Sequence, residues 1–91
     1  MAKVLITFKI MPESVDVSLS TLEQQAKKAI ENYGGIIQRV EKDPIGFGLV
    51  ALKIVFAMDE SKGTTDVLEE QLKTLPGIMN VEVTDVRRAL G

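Results

Sequence analysis

Residues 48–58 read Gly48-Leu49-Val50-Ala51-Leu52-Lys53-Ile54-Val55-Phe56-Ala57-Met58. Side chains of a β-strand point alternately to its two faces. One face of this stretch would carry five large apolar residues, namely Val50, Leu52, Ile54, Phe56 and Met58. Lys53 would lie on the other face. The alternation predicts a long central strand with one side in a hydrophobic core.

Two further strands are predicted nearer the N-terminus. Residues 3–11 alternate apolar and polar side chains, and Pro12 ends this strand because proline has no N–H for the ladder. Residues 36–43 form a second, less regular apolar segment that ends near Pro44. The chain between Pro12 and residue 17 reads as a loop.

A helix is predicted between these two strands, from Ser18 or Ser20 to Tyr33. Ser20 and Glu23 have the spacing of a capping box, in which each residue satisfies a free backbone N–H of the first turn. The glycine pair that follows Tyr33 stops the helix, because glycine accepts the left-handed conformation common at helix C-termini.

The rest of the chain predicts a second helix and a last strand. Residues 59–65 are mostly polar and form a turn, with Thr64 or Thr65 as the helix N-cap. The apolar positions of this helix follow the spacing i, i+4 and i+7: Leu68, Leu72 and Leu75. Pro76 breaks the helix, and residues 78–86 alternate again.

The element order is therefore β-α-β-β-α-β, within one domain that spans residues 1–91. This order predicts an α+β, ferredoxin-like fold, in which two helices cover one face of a four-stranded antiparallel sheet. The other face of the sheet would be polar enough to meet water or a partner, with Thr7, Lys9, Lys53, Glu82 and Thr84 on it.

The composition narrows the chemistry available to the protein. The 91 residues include no cysteine and no histidine, which excludes disulfides, thiolate nucleophiles, Ser-His triads and imidazole metal ligands. The formal net charge of -2 argues against broad nucleic-acid binding. No apolar run is long enough to cross a bilayer. Carboxylate, lysine or tyrosine chemistry remains open, and we expect a cytoplasmic protein.

The least ordinary segment is Pro44-Ile45-Gly46-Phe47-Gly48-Leu49, where an aromatic residue stands between two glycines. In one interpretation this is a tight turn whose Phe47 tucks into the edge of the core. In the other, the glycines clear space around Phe47 and present its ring to a binding partner, since aromatic residues are enriched among binding hot spots.

The C-terminal segment ends in two adjacent arginines, Arg87 and Arg88. Charges near a terminus are usually solvated, and here they would also keep the edge of the sheet from aggregating. Alternatively, one guanidinium reaches the acidic or phosphate-binding site of a partner. Asp85 could instead hold one of these arginines in a local ion pair.

Several segments together resemble one family. Met11-Pro12-Glu13-Ser14, Pro44-Ile45-Gly46-Phe47-Gly48-Leu49 and Val81-Glu82-Val83-Thr84-Asp85-Val86-Arg87-Arg88 are similar to archaeal elongation factor 1-beta. The resemblance covers essentially the whole chain. It implies a ferredoxin-like guanine-nucleotide exchange factor for elongation factor 1-alpha, the GTPase that delivers aminoacyl-tRNA to the ribosome. For such a factor we expect no catalytic residue, no metal and no cofactor.

The resemblance also implies a binding site. In the eukaryotic complex the phenylalanine that matches Phe47 lies at the partner interface, so we expect Ile45, Gly46 and Gly48 to take part as well. A lysine near the eukaryotic C-terminus projects towards the magnesium and phosphate site. No lysine matches it here, so we assign its role, as a hypothesis, to Arg87 or Arg88.

Other functions fit the same fold. An RNA-binding module of RRM-like architecture is the main alternative, because residues 46–52 partly imitate the RNP1 motif. Ile45 stands where that motif has a basic residue, however, and Leu49 and Leu52 stand where it has aromatics. Acylphosphatase-like catalysis would need an anion-cradling loop with an arginine and a correctly placed asparagine, and neither Asn32 nor Asn80 lies in such a context. A small-molecule regulatory domain is a third possibility.

Overall fold

A computed structural model describes residues 3–62 and 65–89 of the chain. Its elements, in chain order, are β1 (Lys3–Pro12), α1 (Leu19–Tyr33), β2 (Ile36–Gly46), β3 (Leu49–Asp59), a single 3₁₀ turn (Glu60–Lys62), α2 (Asp66–Lys73) and β4 (Ile78–Ala89). The four strands form one antiparallel sheet in the order β2-β3-β1-β4. The predicted ferredoxin-like fold is confirmed.

The core lies between the sheet and the two helices. The central strands β1 and β3 bury the alternating side chains that face the helices, as predicted, and β3 also buries Ala51 and Ala57 on its other face. Phe8 and Phe56 meet edge to face at the centre of the core, with their ring centroids 5.0 Å apart. The fully buried large side chains are Phe8, Phe56, Ile10, Leu22, Ile30, Leu52, Ile54, Met58, Leu68 and Leu72. Burying side chains of this kind contributes about 1.5–3 kcal/mol each to folding.

Helix α1 begins earlier than the capping-box prediction placed it. Ser18 is the N-cap, and its hydroxyl oxygen accepts a hydrogen bond from the backbone N–H of Thr21 at 3.3 Å. The predicted capping box of Ser20 and Glu23 is therefore wrong, because Ser20 already lies inside the helix. Glu23 pairs instead with Lys27, at 3.5 Å.

The glycine pair after α1 ends the helix as predicted. Gly34 adopts a left-handed φ of 107°, and its N–H donates back to carbonyls of the last turn. Gly35 is needed for space: a Cβ there would lie 2.6 Å from Cγ2 of Ile30 and 3.0 Å from the ring of Phe56. The second glycine thus lets the chain turn directly from helix to sheet beneath the core.

Two other boundaries bear on the sequence prediction: the end of β2 differs from it, and the start of α2 agrees with it. Strand β2 continues past Pro44 to Gly46. Proline is tolerated there because β2 is an edge strand. Helix α2 begins after Thr65, as predicted for one of two candidate caps, although its hydroxyl donates to the carboxylate of Glu69 rather than accepting from the backbone. The other candidate, Thr64, lies outside the described residues.

The face of the sheet opposite the helices carries charged side chains that lie opposite one another on neighbouring strands. Across the four strands one row reads Glu41, Lys53, Lys9 and Glu82. The two lysines stand directly opposite each other, an arrangement that is unfavourable for like charges. Asp43 compensates for it, since its carboxylate lies 3.7 Å from Lys9 Nζ and 3.8 Å from Lys53 Nζ. This face is polar, as predicted.

No helix in the described parts of the chain is both long and apolar enough to cross a lipid bilayer.

Candidate functional site

The segment between β2 and β3 is a tight hairpin turn. Gly46 pairs with Leu49, so only Phe47 and Gly48 lie between the strands. Phe47 has a φ of 56° and Gly48 a φ of 78°. Positive φ at both central residues is the requirement of a type I′ turn, whose twist matches that of the flanking strands. The turn closes a hairpin whose strands have 11 residues each.

Phe47 stands at the tip of this hairpin with its side chain in solvent. Its relative exposure is 101%, so the interpretation in which it tucks into the core is wrong. Among the described residues it is also the one non-glycine with a positive φ. A left-handed conformation costs an L-residue with a Cβ roughly 1–2 kcal/mol. The hairpin therefore holds an apolar ring in water on a strained backbone, a combination that folding alone does not favour.

Ile45 and Gly46 shape the approach to the turn. The pairing of β2 with β3 shifts between Pro44 and Gly46, which leaves Ile45 as an extra residue in a bulge. Gly46 has a φ of 105°, and nothing lies within 4 Å of the position a Cβ would take. Glycine is therefore required at position 46 because of the backbone conformation, and not because a side chain would clash with neighbouring atoms.

A groove lies beside the hairpin tip, and we call it the loop–hairpin groove. Its volume is about 250 Å³, and its lining residues are Pro12, Ser14, Val15, Val17, Leu19, Gly48 and Val50. The loop after β1 lies against the turn. A Cβ placed on Gly48 would be 3.3 Å from Cγ1 of Val15. Sequence reasoning missed Val15, since no local pattern signals a contact between a loop and a distant hairpin.

Arg87 and Arg88 leave β4 on opposite faces of the sheet. Arg87 pairs in register with Leu5, on the open face, and its Nε lies 2.8 Å from the carboxylate of Asp85. This is the local ion pair that the sequence suggested. Arg88 pairs in register with Val4, which packs against the core.

Arg88 is tied to another element. Its Nη2 donates to Oε1 of Glu60, in the 3₁₀ turn after β3, at 2.8 Å. This hydrogen bond, with the attraction of the Glu60 charge, raises the pKa of the Arg88 guanidinium. Arg88 stays charged at any physiological pH.

The structure does not bring the two groups of predicted site residues together. The hairpin tip lies at the end of the sheet where β1 finishes, whereas Arg87 pairs with Leu5, near the start of β1. Leu5 is opposite Ala57, about ten residues along β3 from Phe47, which corresponds to about 33 Å of extended strand. Phe47 and the arginines therefore occupy opposite ends of the sheet.

The open face lacks the aromatic side chains that an RRM uses to stack on RNA bases. The chain has three phenylalanines and one tyrosine. Phe8 and Phe56 are buried in the core, Phe47 is at the hairpin tip, and Tyr33 packs against the core from α1. The open face instead carries balanced charge, which gives little attraction for phosphates.

The acidic residues near the ends of β2 and β3 are each engaged by other groups. Asp43 contacts two lysines, Glu60 holds Arg88, and the carboxylate of Asp59 accepts a hydrogen bond from the N–H of Ser61 at 2.9 Å. That hydrogen bond lowers the pKa of Asp59. Within residues 3–62 and 65–89, no group of three acidic side chains is arranged to hold a metal ion.

The fold has close counterparts among solved structures. The ACT domain of GTP pyrophosphokinase from Chlorobium tepidum superposes with a TM-score of 0.60 over 89% of this chain and 97% of that domain, at 18% identity. The de novo designed protein Foldit4 gives a TM-score of 0.61 over 98% of both chains, also at 18% identity. At such low identity these similarities establish the fold alone.

The fold and the hairpin tip define a ferredoxin-like α+β domain that presents an aromatic side chain to solvent. The family model for the EF-1 guanine nucleotide exchange domain matches residues 5–89. The chain therefore belongs to the elongation factor 1-beta family, whose members are guanine-nucleotide exchange factors of translation elongation and not enzymes.

Archaeal relatives agree with this assignment. Elongation factor 1-beta of Methanothermobacter thermautotrophicus is 40% identical over 90 residues, which cover 99% of this chain and all of that protein. The protein of the same name from Methanosphaera stadtmanae is 41% identical over the same shares. The one from Staphylothermus marinus is 37% identical over 97% of this chain and 98% of its own length.

Proposed function

We propose that this chain promotes the exchange of GDP for GTP on elongation factor 1-alpha, in the cytoplasm, by binding near the nucleotide and magnesium site of that GTPase. The observation that carries the proposal is the match of the exchange-domain family to residues 5–89. Relatives of nearly the same length bear the name elongation factor 1-beta.

An exchange factor makes and breaks no covalent bond. It acts by binding the nucleotide-free GTPase more tightly than the loaded one. The two binding equilibria are linked. If the exchange factor weakens the binding of GDP to the GTPase, then nucleotide weakens the binding of the exchange factor to the GTPase to the same extent. Abundant GTP then displaces the factor and completes the cycle, so this chain needs no catalytic residue and no cofactor.

The hairpin tip is the first proposed contact with the GTPase. Phe47 would bury its ring against the partner, a change that removes an exposed aromatic surface from water. Gly46 and Gly48 carry positive φ, and Ile45 forms the bulge that precedes them. These three residues would orient the ring and let the partner approach the backbone closely.

The second proposed contact is a guanidinium at the other end of the sheet. A cation brought near the magnesium site would compete with the metal for the same anionic groups. Two charges 4 Å apart interact by about 4 kcal/mol at an effective dielectric constant of 20, which is ample to change a release rate. Because Arg87 and Arg88 lie on opposite faces, the proposal requires only one of them.

The test is the release of fluorescent GDP from purified elongation factor 1-alpha of the same source, with excess unlabelled nucleotide. A catalytic amount of this protein should accelerate release. Phe47→Ala should weaken binding to the nucleotide-free GTPase, and Arg87→Ala or Arg88→Ala should slow exchange. Unchanged release by the wild-type protein, with a GTPase shown to bind nucleotide, would refute the proposed function. Full activity of all three variants would refute only the proposed site.

A further inference from the structure

We propose that the loop–hairpin groove is a second part of the docking surface, which receives one apolar side chain from a basic patch of the partner GTPase. The inference rests on the proposed function and extends it. It adds the loop between β1 and α1, and Val15 in particular, to the residues that recognise the partner.

Val15 and Phe47 place two exposed apolar side chains at the same corner of the molecule. Val15 is 60% exposed and Phe47 is 101% exposed. Val15 lines the groove together with Gly48, the residue that follows Phe47 in the turn. A partner surface that covers the ring of Phe47 would therefore come close to Val15 and the groove. Exposed apolar side chains grouped in this way are typical of an interaction site.

The groove has the size of one side chain. At about 250 Å³ it is larger than a cavity of about 150 Å³ that suffices to bind benzene. Valine, leucine and proline side chains make up five of its seven lining residues, and polar atoms supply a substantial part of the exposed lining. An aromatic or branched aliphatic side chain fits the volume and can contact these five side chains.

The loop is held in place before any partner arrives. The N–H of Glu13 donates to the carbonyl of Gly77 at 2.9 Å, and the N–H of Val17 donates to the carbonyl of Ser14 at 3.3 Å. The N–H of Asp16 also donates to the hydroxyl of Ser14, at 3.3 Å. A preordered loop loses little conformational entropy on binding, which favours affinity.

Two acidic residues stand next to groove-lining residues in the chain. Glu13 and Asp16 flank Ser14 and Val15 in the loop, and both are exposed. Neither carboxylate forms an ion pair with another residue in the part of the chain that the structure describes. Their charge is therefore available to lysine or arginine residues around the partner's apolar side chain. Rim charges of this kind act mainly on the association rate.

The test compares two valines of nearly equal exposure. Val15→Ser removes apolar surface from the groove, whereas Val67→Ser does so on the outer face of α2, where Val67 is 58% exposed. We expect Val15→Ser to weaken binding to the nucleotide-free GTPase by about three- to tenfold and Val67→Ser by less than about twofold. Thermal melting should show both variants folded, since neither side chain is in the core.

A second pair of substitutions tests the two carboxylates beside the groove. Glu13→Gln combined with Asp16→Asn should slow association at low salt, and the difference from wild type should vanish at high salt. If Phe47→Ala weakens binding while Val15→Ser binds like wild type, the groove is not part of the interface and the proposed function stands. If the wild-type protein neither binds nor accelerates release, the proposed function itself fails.

Discussion

At the scale of single residues, Phe47 has two properties that folding does not favour. Its φ of 56° is one that asparagine and glycine adopt more readily than a bulky aromatic residue. Its side chain gains nothing from the core, since it is fully exposed. Both properties lower the stability of the free protein, and both are explained if the ring is buried only in a complex.

Phe47→Asn should therefore make the free protein more stable and a weaker binder. Asparagine followed by glycine is the preferred pair for a type I′ turn, so the free energy of unfolding should rise by roughly 0.5–1 kcal/mol. Urea denaturation measures the stability, and titration with the nucleotide-free GTPase measures the affinity.

Phe47→Ala serves as the control for this substitution. It removes the ring but keeps a Cβ in the left-handed conformation, so its stability should stay close to that of wild type. A loss of stability in Phe47→Asn would show that the ring supports the hairpin in the free protein.

At the scale of elements, the predicted order was right because the periodicities are strong where burial is complete. The strand of residues 48–58 buries the side chains that its alternation indicated, with Val50 partly exposed near the hairpin end. The N-cap of α1 was predicted wrongly because two residues near its start could each cap a helix. Two serines, Ser18 and Ser20, stood at the start of α1, and the chain uses the first because Leu19 then packs against the core.

Ser18→Ala should lower the free energy of unfolding by about 1 kcal/mol, because it leaves the N–H of Thr21 without its hydrogen bond. Ser20→Ala is the matched control. It replaces an exposed serine inside the helix with a better helix former, so it should be neutral or slightly stabilising. The opposite ranking of the two variants in urea denaturation would restore Ser20 as the cap.

The hairpin tip shows what the sequence does not decide. Pro44-Ile45-Gly46-Phe47-Gly48 indicates a turn, but whether the ring turns inward depends on the backbone angles at Phe47 and on the bulge at Ile45. The groove beside it requires the loop at Val15 to meet Gly48, about 33 positions away in the chain. No local pattern carries that information.

At the scale of the whole molecule, the proposed site residues form two separate groups. Phe47 and the arginines lie at opposite ends of the sheet, and the longest principal extent of the chain is 42 Å. Residues so far apart, with no shared contacts, act independently on the free energy of a process.

The double variant Phe47→Ala with Arg87→Ala should therefore show additive effects. Its loss of exchange activity, expressed as a free energy, should equal the sum of the two single losses within about 0.5 kcal/mol. The same cycle with Arg88→Ala identifies which arginine contributes. GDP-release rates at subsaturating concentrations provide the measurement. Strong non-additivity would mean that the two ends of the sheet are coupled.

The sheet that separates these two groups also fixes the distance between them. Once one end of the sheet is bound to a GTPase, strands of 10 to 12 residues hold the other end within a small volume. Its effective concentration at a second contact is then high if the spacing fits, and close to zero if it does not. For a chain that binds at both ends, strand length becomes a determinant of specificity: lengthening the sheet by two residues would abolish bivalent binding without altering a single contact residue.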